Sequence, residues 1–159
     1  MKAEDVIKKF DLKPLPEEGG YYRETYRSSK LIKDNNDDKS ASTAIFYMVT
    51  PADFSALHRI KYDEIFHFYG GDPVEMIQID ENGELKTIEI GSPNQGLDCQ
   101  VIVPAQVWQG LRLKNGGHWA LLGTTVAPGF EFKDFEIKSR NELSAIFPTH
   151  TQIITSYTR

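Results

Sequence analysis

From Ser42 to Val126 the chain is a succession of short β-rich runs cut by turn residues, and that rhythm leaves few folds open to it. Thr43 to Val49, Ser55 to Arg59, Glu64 to Tyr69, Val74 to Ile79, Lys86 to Ile90, Cys99 to Val103, Gln109 to Leu113 and Trp119 to Val126 read as strands. They are rich in the β-branched and aromatic residues that suit a pleated, half-buried surface. Between them stand Thr50-Pro51, Gly70-Gly71-Asp72-Pro73, Glu81-Asn82-Gly83, Gly91-Ser92-Pro93-Asn94 and Asn115-Gly116-Gly117, with the residues that reverse a chain. So many short strands must close on themselves to hide their edges, and their regular spacing is that of a sandwich or jelly roll.

The ends read differently. Val6, Ile7 and Phe10 recur at helical spacing, so Ala3 to Phe10 is a short amphipathic helix, ended by Pro14 and Pro16. Gly19-Gly20 then precede a strand from Tyr21 to Ser28, while the charged, Asn/Asp-rich stretch from Lys30 to Ser40 reads as an exposed, mobile loop without a role. Ser139 and Glu142 form a capping box for a helix reaching about Phe147. At 159 residues the whole chain, 1–159, is expected to be one all-β domain with short helices at both ends.

Charge and cysteine usage exclude several function classes. A net charge of -5 with no cluster of Lys and Arg leaves nothing to displace counterions from a phosphate backbone, so no nucleic-acid partner is expected. Cys99 is the single cysteine and has no disulfide partner in the chain. The amino terminus lacks the apolar core of a signal peptide, and no apolar run approaches the roughly 20 residues that span a bilayer. The expectation is a cytoplasmic protein without membrane attachment.

Three segments resemble the cupin superfamily, and specifically its small single-domain members of unknown function. They are Glu18 to Ser28, His58 to Gly71 with Asp72-Pro73, and Val103 to Gln109 continuing to Thr125 to Phe132. The first cupin motif runs His, any residue, His, three or four residues, Glu, six residues, Gly; His58, Ile60, Glu64 and Gly71 fall on those positions. In the second motif Pro104 fixes the phase and puts Gln109 where a ligand histidine usually stands. The resemblance implies a double-stranded β-helix, or jelly-roll barrel, in a homodimer with a small-molecule pocket inside. It also implies that the metal set has lost two imidazoles, at Ile60 and Gln109.

Three chemistries follow from what remains. A divalent metal wants about three good protein ligands. Here only a degenerate set, His58, Glu64 and Gln109, is on offer, so no cofactor is expected; the metal-dependent reading is a dioxygenase, isomerase or lyase. Acid–base catalysis needs no metal: a His oriented by a carboxylate can abstract a proton beside a carbonyl, with His58 and Glu64 as the catalytic pair. Ala56-Leu57-His58 resembles the Leu-His that carries the base in deoxysugar epimerases, although Ala120 to Val126 lacks the Tyr that serves there as acid, leaving Tyr22, Tyr26, Tyr47 or Tyr62 to substitute. The third chemistry is ligand binding without turnover.

Walls for such a pocket would come from Ile60, Phe66, Phe68, Met76 and Trp108, and its polar set from His58, Glu64, Gln78 and Gln109, with Tyr22 and Glu24 reaching in from the first strand. A sugar or an aromatic compound would suit them. Alternation places His67 on the face opposite Glu64, and the aromatic run Pro128 to Phe135 reads as core closure or dimer contact.

Overall fold

The computed structural model describes residues 1–159. Helix α1 (Ala3–Phe10) precedes β1 (Lys13–Pro14), β2 (Tyr21–Arg27), β3 (Leu31–Asp34), β4 (Asp37–Ser40), β5 (Thr43–Val49), β6 (Ser55–Ile60) and β7 (Glu64–Gly71). There follow β8 (Val74–Ile79), β9 (Leu85–Ile90), β10 (Gln100–Val103), β11 (Trp108–Leu113), β12 (Ala120–Val126) and β13 (Phe135–Ile137), then α2 (Arg140–Ile146) and α3 (Thr151–Ser156). Two antiparallel sheets, ordered β1-β2-β5-β12-β7-β10 and β13-β6-β11-β8-β9, form the jelly-roll barrel. No helix is long and apolar enough to cross a membrane.

Strand alternation divides the hydrophobic residues into three layers. Inward-facing Tyr47, Val49, Phe66, Met76, Leu111 and Leu122 pack with their neighbours into a core that fills one end of the barrel. On the outer face of the second sheet Leu57, Ile77, Ile79 and Trp108 meet Leu143 of α2 and Ile154 of α3. The outer face of the first sheet buries Met48 and Leu121 under Val6 of α1. Gly110 lets α3's end lie close, because a Cβ there would come 2.8 Å from the Tyr157 ring.

Helix α2 starts as its sequence dictates. The Ser139 hydroxyl accepts from the Glu142 backbone N–H at 3.3 Å, and Glu142 Oε2 accepts from the Ser139 N–H at 2.8 Å. Losing the cap should cost about 1 kcal/mol. Ser139→Ala is accordingly expected to lower the thermal midpoint by a few degrees, which calorimetry would read.

The charged stretch Lys30 to Ser40 departs from expectation. It is a β3-β4 hairpin rather than a loose loop, registered Leu31 to Ser40 through Asp34 to Asp37. Lys39 has no exposed surface, and its Nζ donates to Glu131 Oε2 and Asp134 Oδ2 at 2.6 Å each. Those partners lie more than ninety residues away in sequence, at separations of 92 and 95, so local composition gave no sign of them. Helix α3 carries no sequence signature: Thr151 to Ser156 has too few residues to show a helical repeat.

Candidate functional site

The barrel's unfilled end holds a cavity of about 570 Å³, within the usual size of small-molecule sites. Ile45, Ile60, Val126, Phe130, Phe132 and Phe135 supply its apolar surface, with Tyr22 and Leu15 beside them. His58, Glu64, Glu18 and Thr124 supply its polar floor, and Glu24, Arg27, Glu17 and Glu131 also line it.

His58 stands on β6, paired with Gln109 of β11 and Ile137 of β13, and is 2% exposed. Its Nδ1 lies 2.7 Å from the Ala56 carbonyl oxygen. A carbonyl only accepts, so Nδ1 carries a proton, and in the neutral form of the ring the Nε2 lone pair is turned toward the cavity. Phe135 stacks on the ring at 5.3 Å, and Glu18 Oε2 stands 3.8 Å from Nε2.

Glu64 projects inward from the facing sheet and crosses the barrel. Its Oε2 accepts from Gln109 Nε2 at 2.6 Å, joining β7 to β11 beside His58. Burial pushes its carboxyl above the ordinary range, and Glu18 adds to the rise, while His58, Gln109 and Thr124 partly oppose it. A carboxyl that holds its proton more tightly when folded favours the native state in acid. That contribution is complete below the ordinary carboxylate range and lost as pH rises through the native value. Glu64→Gln keeps an acceptor for Gln109 and removes the charge. The variant should gain about 1 kcal/mol at neutral pH. Its margin over the parent protein should widen as pH rises above the ordinary carboxylate range, as read from paired thermal melts.

Glu18 belongs to a segment that sequence comparison emphasised without assigning it a role. It is fixed by its surroundings: Oε1 accepts from Ser55 Oγ at 2.8 Å, and its carbonyl accepts from the Ala56 N–H at 2.8 Å and from Arg159 at 2.9 Å. Tyr47 donates to the next carbonyl, Gly19, at 2.8 Å, and its phenol is raised by burial and by the Glu18 charge. Gly20 has φ +73°, and a Cβ there would meet the Tyr47 hydroxyl at 2.7 Å, so glycine is needed for Glu18 to approach.

The other expected site residues divide by depth and by face. Ile60, Tyr22 and Glu24 line the cavity, and Gln109 touches it through Glu64. Phe66 and Phe68 share the inner face with Glu64 but lie deeper, as does Met76; Phe66 and Met76 are core residues, and Phe68 packs against that core, whereas Gln78 stands level with its cross-strand neighbour Gln109. Gln78 is occupied in bonding the Ile102 carbonyl at 3.2 Å. Trp108 is on the opposite face from Gln109, under α2 and α3, with the Arg59 guanidinium 4.9 Å from its ring centre. Neighbouring strand residues point to opposite sides, so Trp108 and Gln109 cannot share one pocket.

Among the tyrosines, only Tyr22 lines the cavity: Tyr47 is committed to Gly19, Tyr62 to Asp34, and Tyr26 is exposed. The Pro128 to Phe135 run, expected to close the core or join a dimer, places Phe130, Phe132 and Phe135 on the cavity wall. Arg27 joins Glu24 at the rim because the β2-β5 register shifts between Glu24 and Tyr26. Such an irregularity re-aims a side chain and is invisible to strict alternation. Arg27 then binds Glu24 through two N–H groups, at 3.0 and 2.8 Å, and the Phe130 carbonyl at 2.9 Å.

Cupin barrels imply a metal at this height of the barrel, but the donors here do not fit one. Ile60 offers no ligand atom, Gln109 presents an N–H donor to Glu64, and no group of three His, Cys, Asp or Glu has metal-holding geometry.

A barrel of this form with a polar floor and an apolar mouth defines a cupin-type pocket, and comparison with known proteins places the chain more narrowly. Residues 4–138 match the family described as Cupin superfamily (DUF985), and the chain belongs to it. It is similar to a hypothetical protein from Leishmania major, with 31% identity, 99% of each chain covered and a TM-score of 0.91. It is equally similar to protein SO0799 from Shewanella oneidensis, at 31% identity and a TM-score of 0.91, covering 100% of this chain and 98% of that one. A mutant of Bacillus subtilis oxalate decarboxylase shares the fold at 14% identity and a TM-score of 0.57, covering 92% of this chain and 37% of that chain. No curated protein matches the sequence.

Proposed function

We propose that this protein is a small-molecule-binding cupin whose pocket performs metal-independent proton transfer of the epimerase or isomerase kind. One observation carries the reading: a buried imidazole whose Nε2 meets no hydrogen-bond partner within the protein, with the Glu18 carboxylate 3.8 Å away and the Glu64 carboxyl sharing the floor of an open cavity. In this reading Nε2 of His58 takes the proton from a carbon beside a carbonyl. The electron pair of that C–H bond moves into an enol, and the Glu64 carboxyl gives its proton to the carbonyl oxygen. Return of both protons, at the other face or the neighbouring carbon, yields the isomer and restores the two residues. Glu18, 3.8 Å from Nε2, offsets the imidazolium charge while it lasts, and the apolar walls strengthen that attraction by lowering the local dielectric.

Binding without turnover is the second reading. It is favoured by β12, which offers Thr124 and Val126 to the cavity and no tyrosine acid. Incubation with a panel of hydroxy- and amino-carbonyl compounds in deuterated water separates the two. Deuterium is expected at the carbon beside the carbonyl of at least one compound. No exchange across the panel would leave a binding protein only.

A further inference from the structure

The cavity's charges are unevenly partnered. Its wall holds Glu17, Glu18, Glu24, Glu64 and Glu131 against one guanidinium, that of Arg27. Arg27 is already spent on Glu24 and the Phe130 carbonyl, at 2.8 to 3.0 Å. Glu131 is held by Lys39 at 2.6 Å and Lys133 at 3.0 Å, both reaching it from outside the lining. No lysine lines the cavity, and the Glu18 carboxylate faces it with no ion-pair partner but the His58 ring at 3.8 Å, Arg159 being engaged with the Glu18 backbone carbonyl. An anionic ligand would find only the Nη1 side of Arg27, whose charge is already balanced by Glu24, and would meet carboxylates at the rim and the floor.

Two further observations point to what does fit. The His58 side chain is 3% exposed, yet its cavity-facing Nε2 has no hydrogen-bond partner within the protein, which leaves it free to bond an atom of an entering ligand. Above the floor, Phe130, Phe132, Phe135 and Tyr22 line the wall, and aromatic faces attract cations as well as apolar surface.

We infer that the cavity takes an organic cation: a protonated primary amine on an apolar body, its charge on Glu18 and its body against the three phenylalanines. This rests on the small-molecule reading above and narrows it. An amine set on Glu18 leaves the adjoining C–H to Nε2, so an α-amino carbonyl compound would satisfy both. The same electrostatics disfavour phosphate-bearing sugars and carboxylic acids.

The test uses three probes of matched shape, 2-phenylethylamine, 2-phenylethanol and phenylacetate, titrated into the full chain at low salt and followed by NMR shifts of the Thr124, Val126 and Phe135 amides. The amine is expected to bind at least tenfold more tightly than the alcohol, and phenylacetate not at all up to about 10 mM. Glu18→Gln, which keeps an acceptor for Ser55, should erase the amine's advantage over the alcohol, while a response of the Val126 and Phe135 amides to the alcohol shows that the pocket still forms. Equal binding of amine and alcohol, or tighter binding of phenylacetate, would overturn the cation and leave the pocket. An amine preference that survives Glu18→Gln would overturn the assignment to Glu18. Silence from all three probes would overturn both the cation and the pocket, whereas amine binding without deuterium exchange would remove only the proton-transfer reading.

Discussion

Replacing His58 with Asn should abolish deuterium exchange into any responsive carbonyl compound, with a loss of at least 100-fold, while the protein stays folded. The choice of residue matters. An Asn amide can donate to the Ala56 carbonyl as Nδ1 does at 2.7 Å, so the local strand geometry survives. It has no basic nitrogen to turn toward the cavity. General bases contribute about 10²- to 10⁴-fold, which sets the scale of the loss. Glu18→Gln should act less severely, about tenfold, since it withdraws the charge that accompanies the imidazolium and leaves the base itself in place. Undiminished exchange in His58→Asn would show that some other group moves the proton.

The second large effect concerns the rim. Lys39→Met should destabilise the fold by about 3 kcal/mol, because removing one member of a buried ionic cluster strands the others. Asp134, whose side chain is 5% exposed, suffers most; Glu131 at 35% retains some water, which holds the figure at the lower end. For a chain of this size the thermal midpoint should fall by roughly 6 to 12 °C. Lys33 is the control, being paired with Asp38 at 2.7 Å with 74% of its side chain exposed; Lys33→Met should change little. Glu131 lies between Phe130 and Phe132 on the cavity wall, so Lys39→Met should also weaken ligand binding. A midpoint matching that of the control would mean that the hairpin does not anchor the aromatic segment.

Much of the architecture was legible because barrel strands announce themselves locally. Thr43–Val49 and Val74–Ile79 occupy their expected limits, and the helices Ala3–Phe10 and Arg140–Ile146 start and stop where caps and prolines place them. The hairpin containing Lys39 was not legible, since its stability resides in carboxylates from the far end of the chain. The site divides along similar lines. Motif spacing picked out His58, Glu64 and Gln109, and coordinates bring them to one height of the barrel. Depth along a strand is not encoded by alternation, which is why Phe66 and Met76 were expected in the pocket and lie in the core. Glu18 escaped because it precedes the β2 strand and reaches His58 only through the turn that Gly19 and Gly20 permit. Arg27 escaped because a register shift moved it.

The central claim is that His58 points an unprotonated Nε2 into the cavity, with its proton held on Nδ1 by Ala56. Long-range nitrogen–proton correlation spectra of the histidine rings, assigned through His58→Asn, test this directly. Near neutral pH the neutral His58 ring should show the Nδ1–H tautomer, with its Nε2 resonance moving when 2-phenylethylamine is added. A ring carrying its proton on Nε2, or one whose Nε2 is indifferent to that probe while the cavity amides respond, would contradict the account.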